Sequence, residues 1–196
     1  MPNTYVRELL LGEDQLANQA ADAKNMETRD QSARVLTGLA TVMLTPQDDI
    51  LSDMTSGNRI LLLAGDFPGT TIKTPDTLLQ GQPGTKMTSA LNLYNSARII
   101  GIDFTGQTST ALANLTAAAF PVIFQNCTFT KRQGVGGDYV VLANGAKAVF
   151  IGCFFYGAQT SGAVVNNAGA GANCGIVGCA NLTGVAHVNV TNVFEV

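Results

Sequence analysis

The chain has no tryptophan, a single histidine and few charges. Charged residues are 13% of its 196, about half of the usual ~25%, and the formal net charge is −3. So weak a field offers no long-range attraction to nucleic acid or an anionic membrane, and neither is expected as a partner. No run approaches the ~18 apolar residues of a transmembrane helix. The longest candidate, Ala111 to Phe124, is interrupted by Asn114, Thr116 and Pro121. The N-terminus lacks a basic region followed by a long apolar core, and Leu9-Leu10-Leu11 is too short to supply one, so no signal peptide is expected. The four cysteines then read as free thiols of a reducing compartment.

The scarcities also limit the chemistry. His187 is the only histidine, and the sequence sets no Ser or Cys beside it as a nucleophile, which argues against a triad. A zinc site wants paired ligands at short spacing; Cys174 and Cys179 have no second pair to complete one. No metal and no cofactor are expected. Gly134-Val135-Gly136-Gly137 lacks the Lys-Ser/Thr of a phosphate loop, so it reads as a turn between strands. Lys131-Arg132 beside it reads as a solvated corner. Only six acids follow residue 50: Asp53, Asp66, Asp76, Asp103, Asp138 and Glu195.

What the sequence does contain is a spaced echo. Asn126-Cys127-Thr128-Phe129 is followed by Gly152-Cys153-Phe154-Phe155 and then by Gly178-Cys179-Ala180-Asn181, with the cysteines 26 residues apart both times. Ile102-Asp103-Phe104-Thr105 fits the same frame one step earlier. Such a period marks a chain that stacks copies of one unit. Cys127, Cys153 and Cys179 are read as small apolar residues filling one interior slot on successive copies. Strands are expected at Ala90–Tyr94, Arg98–Phe104, Pro121–Phe129, Tyr139–Leu142, Ala148–Phe155, Ala163–Asn166 and Gly175–Val177, each bounded by Gly, Asn or Ser. The Asn-x-Ser/Thr matches at Asn114, Asn126, Asn181 and Asn189 are read as corner asparagines, because Asn tolerates left-handed backbone.

The front of the chain differs in composition. Residues 1–50 carry eight acids and four bases, whereas 91–196 carry seven charges in all. Residues 1–45 are read as an N-terminal docking arm, extended or partly helical. Thr28-Arg29-Asp30-Gln31 is a candidate capping box for a short helix to about Leu36, but the apolar stripe of Leu16, Ala20 and Ala23 is too small to hold a helix alone. Residues 46–196 form the second domain. Thr45-Pro46 with Asp48 and Asp49 predicts a helix over 46–54 closed by Gly57. Arg59 to Phe67 predicts a fully buried strand ending in a turn.

This order, helix, glycine, apolar strand, Gly-x-aromatic and then echoed rungs, resembles the right-handed parallel β-helix domains of the pectate-lyase-like superfamily, in which a short helix plugs the coil. The resemblance spans roughly residues 46–184 and implies an all-β fold: a short right-handed parallel β-helix of about five rungs. Small β-helix stubs with arms are similar to structural proteins of tailed phages. That likeness implies a viral protein on the outer surface of the virion capsid, which decorates or cements it as a homotrimer bound to the major capsid protein and is not an enzyme. The partner-binding residues would be Tyr5, Val6, Leu9, Leu10 and Leu11 in the arm and Val188 and Val190 in the terminal strand. Val188-Asn189-Val190-Thr191 alternates as a half-exposed edge strand does. Two alternatives stay open. One is a tail-fibre or tailspike module that binds host glycan through Tyr94, Tyr139 and Tyr156. The other is a polysaccharide-cleaving enzyme, which needs carboxylates close together. Asp66 and Asp103, each before a Phe, are the candidates, with Thr128 and Phe154 next in their row.

Overall fold

A computed structural model of the chain describes residues 41–50, 59–116, 121–134, 136–167, 172–189 and 192–195. All of them belong to the second of two compact units, Met1–Ala40 and Thr41–Val196. The expected arm helix near residues 29–36 lies outside the described residues.

The described chain is all β. Its strands open with β1 (Thr41–Leu44), β2 (Arg59–Leu62), β3 (Gly65–Phe67), β4 (Thr71–Ile72), β5 (Thr77–Gly81), β6 (Thr85–Met87) and β7 (Leu91–Leu93). The middle holds β8 (Ala97–Ile100), β9 (Asp103–Gly106), β10 (Ala113–Leu115), β11 (Val122–Gln125), β12 (Thr128–Lys131), β13 (Val140–Leu142) and β14 (Lys147–Ile151). The last are β15 (Phe154–Tyr156), β16 (Ala163–Asn167), β17 (Asn173–Val177), β18 (Ala180–Leu182), β19 (Ala186–Asn189) and β20 (Asn192–Glu195). They form three sheets, ordered β1-β2-β5-β8-β11-β14-β17-β20, β3-β6-β9-β12-β15-β18 and β4-β7-β10-β13-β16-β19. Every pairing is parallel, as between β12 and β15 and between β14 and β17. From β2 to β19 the chain visits the three sheets in the same order six times, one more pass than expected. The arrangement is consistent with a parallel β-helix.

Each sheet turns one column of large apolar side chains inward. In the first sheet Ile60, Leu79, Ile99, Phe124, Phe150 and Ile176 lie opposite one another. In the second they are Phe67, Met87, Phe104, Phe129 and Phe155, and in the third Ile72, Leu93, Leu115 and Leu142. All are buried. Phe104, Phe129 and Phe155 stack at 4.8 and 5.0 Å between centroids, and Phe124 stacks on Phe150 at 5.1 Å. The two stacks meet edge to face, the geometry that ring quadrupoles favour.

The corners between the first and second sheets explain the echo. Gly101, Asn126, Gly152 and Gly178 stand there with φ of 64°, 52°, 61° and 60°, so a left-handed residue turns the chain before an inward-facing one. Asn126 is the one non-glycine of this set, a corner asparagine as expected, whereas Asn114, Asn181 and Asn189 lie within β10, β18 and β19. A Cβ on Gly152 would come within 2.7 Å of the Asn126 Oδ1, so the asparagine occupies the space that the glycine leaves.

Several expected boundaries move. Arg98–Phe104, Pro121–Phe129 and Ala148–Phe155 are each two strands split by one of these corners, and Arg59–Phe67 likewise divides into β2 and β3. β2 alternates half-buried and buried residues where full burial was expected. Of the expected helix 46–54, residues 46–50 are turn and bend in place of helix, and 51–54 lie outside the described residues. Thr45 and Asp48 bond to each other in a turn, where a helix cap was expected. Thr45 donates its backbone N–H (2.6 Å) and its hydroxyl (2.8 Å) to Asp48 Oδ2, and the Asp48 N–H returns to the Thr45 carbonyl at 3.0 Å. These bonds, the backbone one foremost, lower the Asp48 pKa.

Candidate interaction surface

Tyr5, Val6, Leu9, Leu10, Leu11 and Val190 lie outside the described residues. Val188 is in β19, the outermost strand of the third sheet, with its backbone opposite Val165. Asp66 and Asp103 share an outward column of the second sheet, but Lys86 stands between them. Thr128 and Phe154 follow in that column, as the sequence spacing indicates. Among the described residues no cluster of three or more His, Cys, Asp or Glu could hold a metal ion.

Two sequence expectations fail at the bend between the second and third sheets. Lys131 is 2% exposed and is no solvated corner. It is an inward residue of β12, whose Phe129 and Lys131 are both buried. Its Nζ donates to the backbone carbonyls of Asp138 (2.7 Å) and Ser109 (3.2 Å) and sits 5.5 Å from the Tyr139 ring centroid. Burial lowers its pKa, and the nearby Asp138 opposes the shift. Tyr139 is fully buried and cannot serve as a surface platform. Its hydroxyl lies 2.6 Å from the carbonyl oxygens of Tyr156 and Gly157, and burial pushes its pKa up to about 12. Asp138 accepts from the Ala163 N–H and the Asn166 Nδ2, each at 2.8 Å. These bonds tie the turn at 131–139 to the next pass of the chain. A Cβ on Gly137 would meet the Ser109 carbonyl at 2.3 Å, so this loop admits only glycine there.

The outer face of the second sheet changes character along its length. Its first strands present Asp66, Lys86 and Asp103, the middle ones Thr105, Thr128 and Thr130, and the last ones Phe154, Tyr156, Ala180 and Leu182. Phe154 is 45% and Leu182 62% exposed, and Tyr156 is also exposed. The Phe154 and Tyr156 rings are parallel within 8°, with centroids 6.1 Å apart. Around the corner Ile151 and Val177 face each other in register and are exposed as well. No Asp, Glu, Lys or Arg occurs between Lys147 and Glu195. The five side chains thus form an apolar, uncharged patch across two neighbouring passes. Such patches mark interaction sites more often than isolated exposed residues do.

Sequence reasoning named Tyr156 and placed Phe154 in the outward row, but gave Phe154, Leu182, Ile151 and Val177 no binding role. The available signal was alternation: with Phe155 inward, both its neighbours must point outward. Tyr94 is exposed but separate from the patch, paired with the Lys73 ammonium at 5.8 Å.

Comparison with known proteins supplies no relative: no family, no curated protein and no solved structure matches the chain.

Proposed function

We propose that the chain is a viral structural protein, of the kind that decorates or cements a phage capsid, acting as a homotrimer on the major capsid protein at the outer surface of the virion. The reading takes the fold to be a short right-handed parallel β-helix of the pectate-lyase-like kind, since parallel crossovers are overwhelmingly right-handed. The observation that carries it is the uncharged patch of Ile151, Phe154, Tyr156, Val177 and Leu182 on a rigid stack. A face of this kind gains by being covered, and three copies of the chain closed around a threefold axis provide one way to do so. The arm, through Tyr5, Val6, Leu9, Leu10 and Leu11, would lie across capsid subunits. Ordering each arm residue costs roughly 1–2 kcal/mol of backbone entropy, which favours several arms acting together in one trimer. The test is capsid binding by the full chain and by a variant lacking residues 1–28. Binding is expected to be lost on deletion, and undiminished binding refutes the arm's role.

A second reading is favoured by the parallel Phe154 and Tyr156 rings, which could stack on the apolar faces of a host glycan in a tail-fibre module. Glycan-array binding by the full chain that disappears in Phe154→Ala supports it over the capsid reading. Sugar cleavage has less support, because Lys86 intervenes between Asp66 and Asp103.

A further inference from the structure

We propose that Cys153 and Cys179 are a modification site: a small-molecule disulfide such as oxidised glutathione converts them into a disulfide that staples two neighbouring passes of the chain. None of the four cysteines is in a disulfide. The corners that carry the two are held in register on both sides. Ile151 lies opposite Val177 and Phe154 opposite Ala180, and the Ala180 N–H donates to the Cys153 carbonyl at 3.0 Å. The Cys153 N–H donates to the Cys179 sulfur at 3.3 Å, and the Cys179 thiol donates to the Val177 carbonyl at 3.6 Å. Parallel neighbours lie about 4.8 Å apart, inside the Cα separation of roughly 4.4–6.8 Å that a disulfide spans. The Cα spacing therefore admits the staple, with the two Cβ atoms drawn together to the roughly 3.5–4.5 Å that the bond requires.

Accessibility selects the pair. Cys127 also abuts Cys153, but both are fully buried, whereas Cys179 is half-buried. Cys174 lies in β17, opposite Ala148. The reaction starts at Cys179. Its thiolate attacks a sulfur of oxidised glutathione and displaces one glutathione thiolate, leaving a mixed disulfide. Cys153 then attacks the Cys179 sulfur, and the second glutathione leaves as a thiolate that takes up the Cys153 proton. The protein dithiol is oxidised by two electrons and one oxidised glutathione is reduced to two thiols. Hydrogen bonding within the row raises the pKa of both cysteines. Exchange goes through the thiolate, so the reaction accelerates as pH rises.

The folded full-length chain is incubated with oxidised glutathione, its remaining thiols are alkylated, and it is mapped by mass spectrometry. Free thiols are expected to fall from four to two, with a Cys153–Cys179 cross-linked peptide. Cys127→Ser should leave that cross-link intact, while Cys179→Ser should abolish it and retain all its thiols. A glutathione adduct that persists on Cys179 without cross-linking, a Cys127–Cys153 bond in its place, or four unreacted thiols at alkaline pH each overturn the proposal.

Discussion

The inner and outer columns of the second sheet come from the same strands and obey different rules. Inside, Phe67, Met87, Phe104, Phe129 and Phe155 keep one character until Asn181 ends the column on the last strand. Outside, acid, base and threonine give way to Phe154, Tyr156 and Leu182. Stacking demands uniformity inward, because each ring must fit the ring on the next strand. Nothing in the fold demands the outward change. An aromatic exposed at 45% contributes little to holding the chain together, so its presence is better explained by what it meets.

Phe154 and Phe155 offer the sharpest way to break this comparison, being adjacent and chemically identical. Phe155 stacks on Phe129 and meets Phe150 and Tyr139 edge-on. Phe155→Ala should cost about 3–5 kcal/mol through the lost transfer energy and the cavity left behind, read by denaturant unfolding. The corner comes next. Gly152→Ala forces a side chain into left-handed backbone and against Asn126, for a loss of about 1–2 kcal/mol, while Asn126→Gly should stay within about 1 kcal/mol of the parent. Phe154→Ala should change the unfolding free energy by no more than about 0.5 kcal/mol when measured on the monomer.

A further effect is expected at high pH. Tyr139 has a pKa of about 12 against an ordinary 10.0. Between these values the unfolded chain releases the phenol proton and the folded chain keeps it. The stability this group contributes is thus complete below the ordinary value and is lost as pH rises through the folded one. Lys131 has the opposite sign. Its lowered pKa means the unfolded chain binds the proton more tightly, so its burial penalty is relieved as pH rises towards 10.5. Tyr139→Phe should flatten the alkaline fall in the denaturation midpoint. An unchanged alkaline profile contradicts the assignment.

The stacking of units was legible in the 26-residue echo because three consecutive corners use the same pair of slots. The earlier passes were not, for they are shorter: Ile60, Leu79 and Ile99 share one column at steps of 19 and 20 residues, against 25 and 26 from Ile99 to Phe124 and Phe150. An echo search at one period passes over them, which is why six passes were read as five. The interior role of Cys127 and Cys153 was legible from type and spacing, and both are fully buried. Lys131 was misjudged from its charge, although its position two residues after Phe129 on a strand places it on the same face. The patch was missed for a related reason: repeated slots drew notice to the inward residues, and the outward ones do not repeat.

The central claim is that this outward patch is where copies of the chain meet. Light scattering across a concentration series, on the parent and on a Phe154→Ser/Leu182→Ser variant with an unchanged denaturation midpoint, tests it directly. The account predicts a trimer mass for the parent and a monomer mass for the variant. A parent that is monomeric at every concentration, or a variant that remains trimeric, contradicts it.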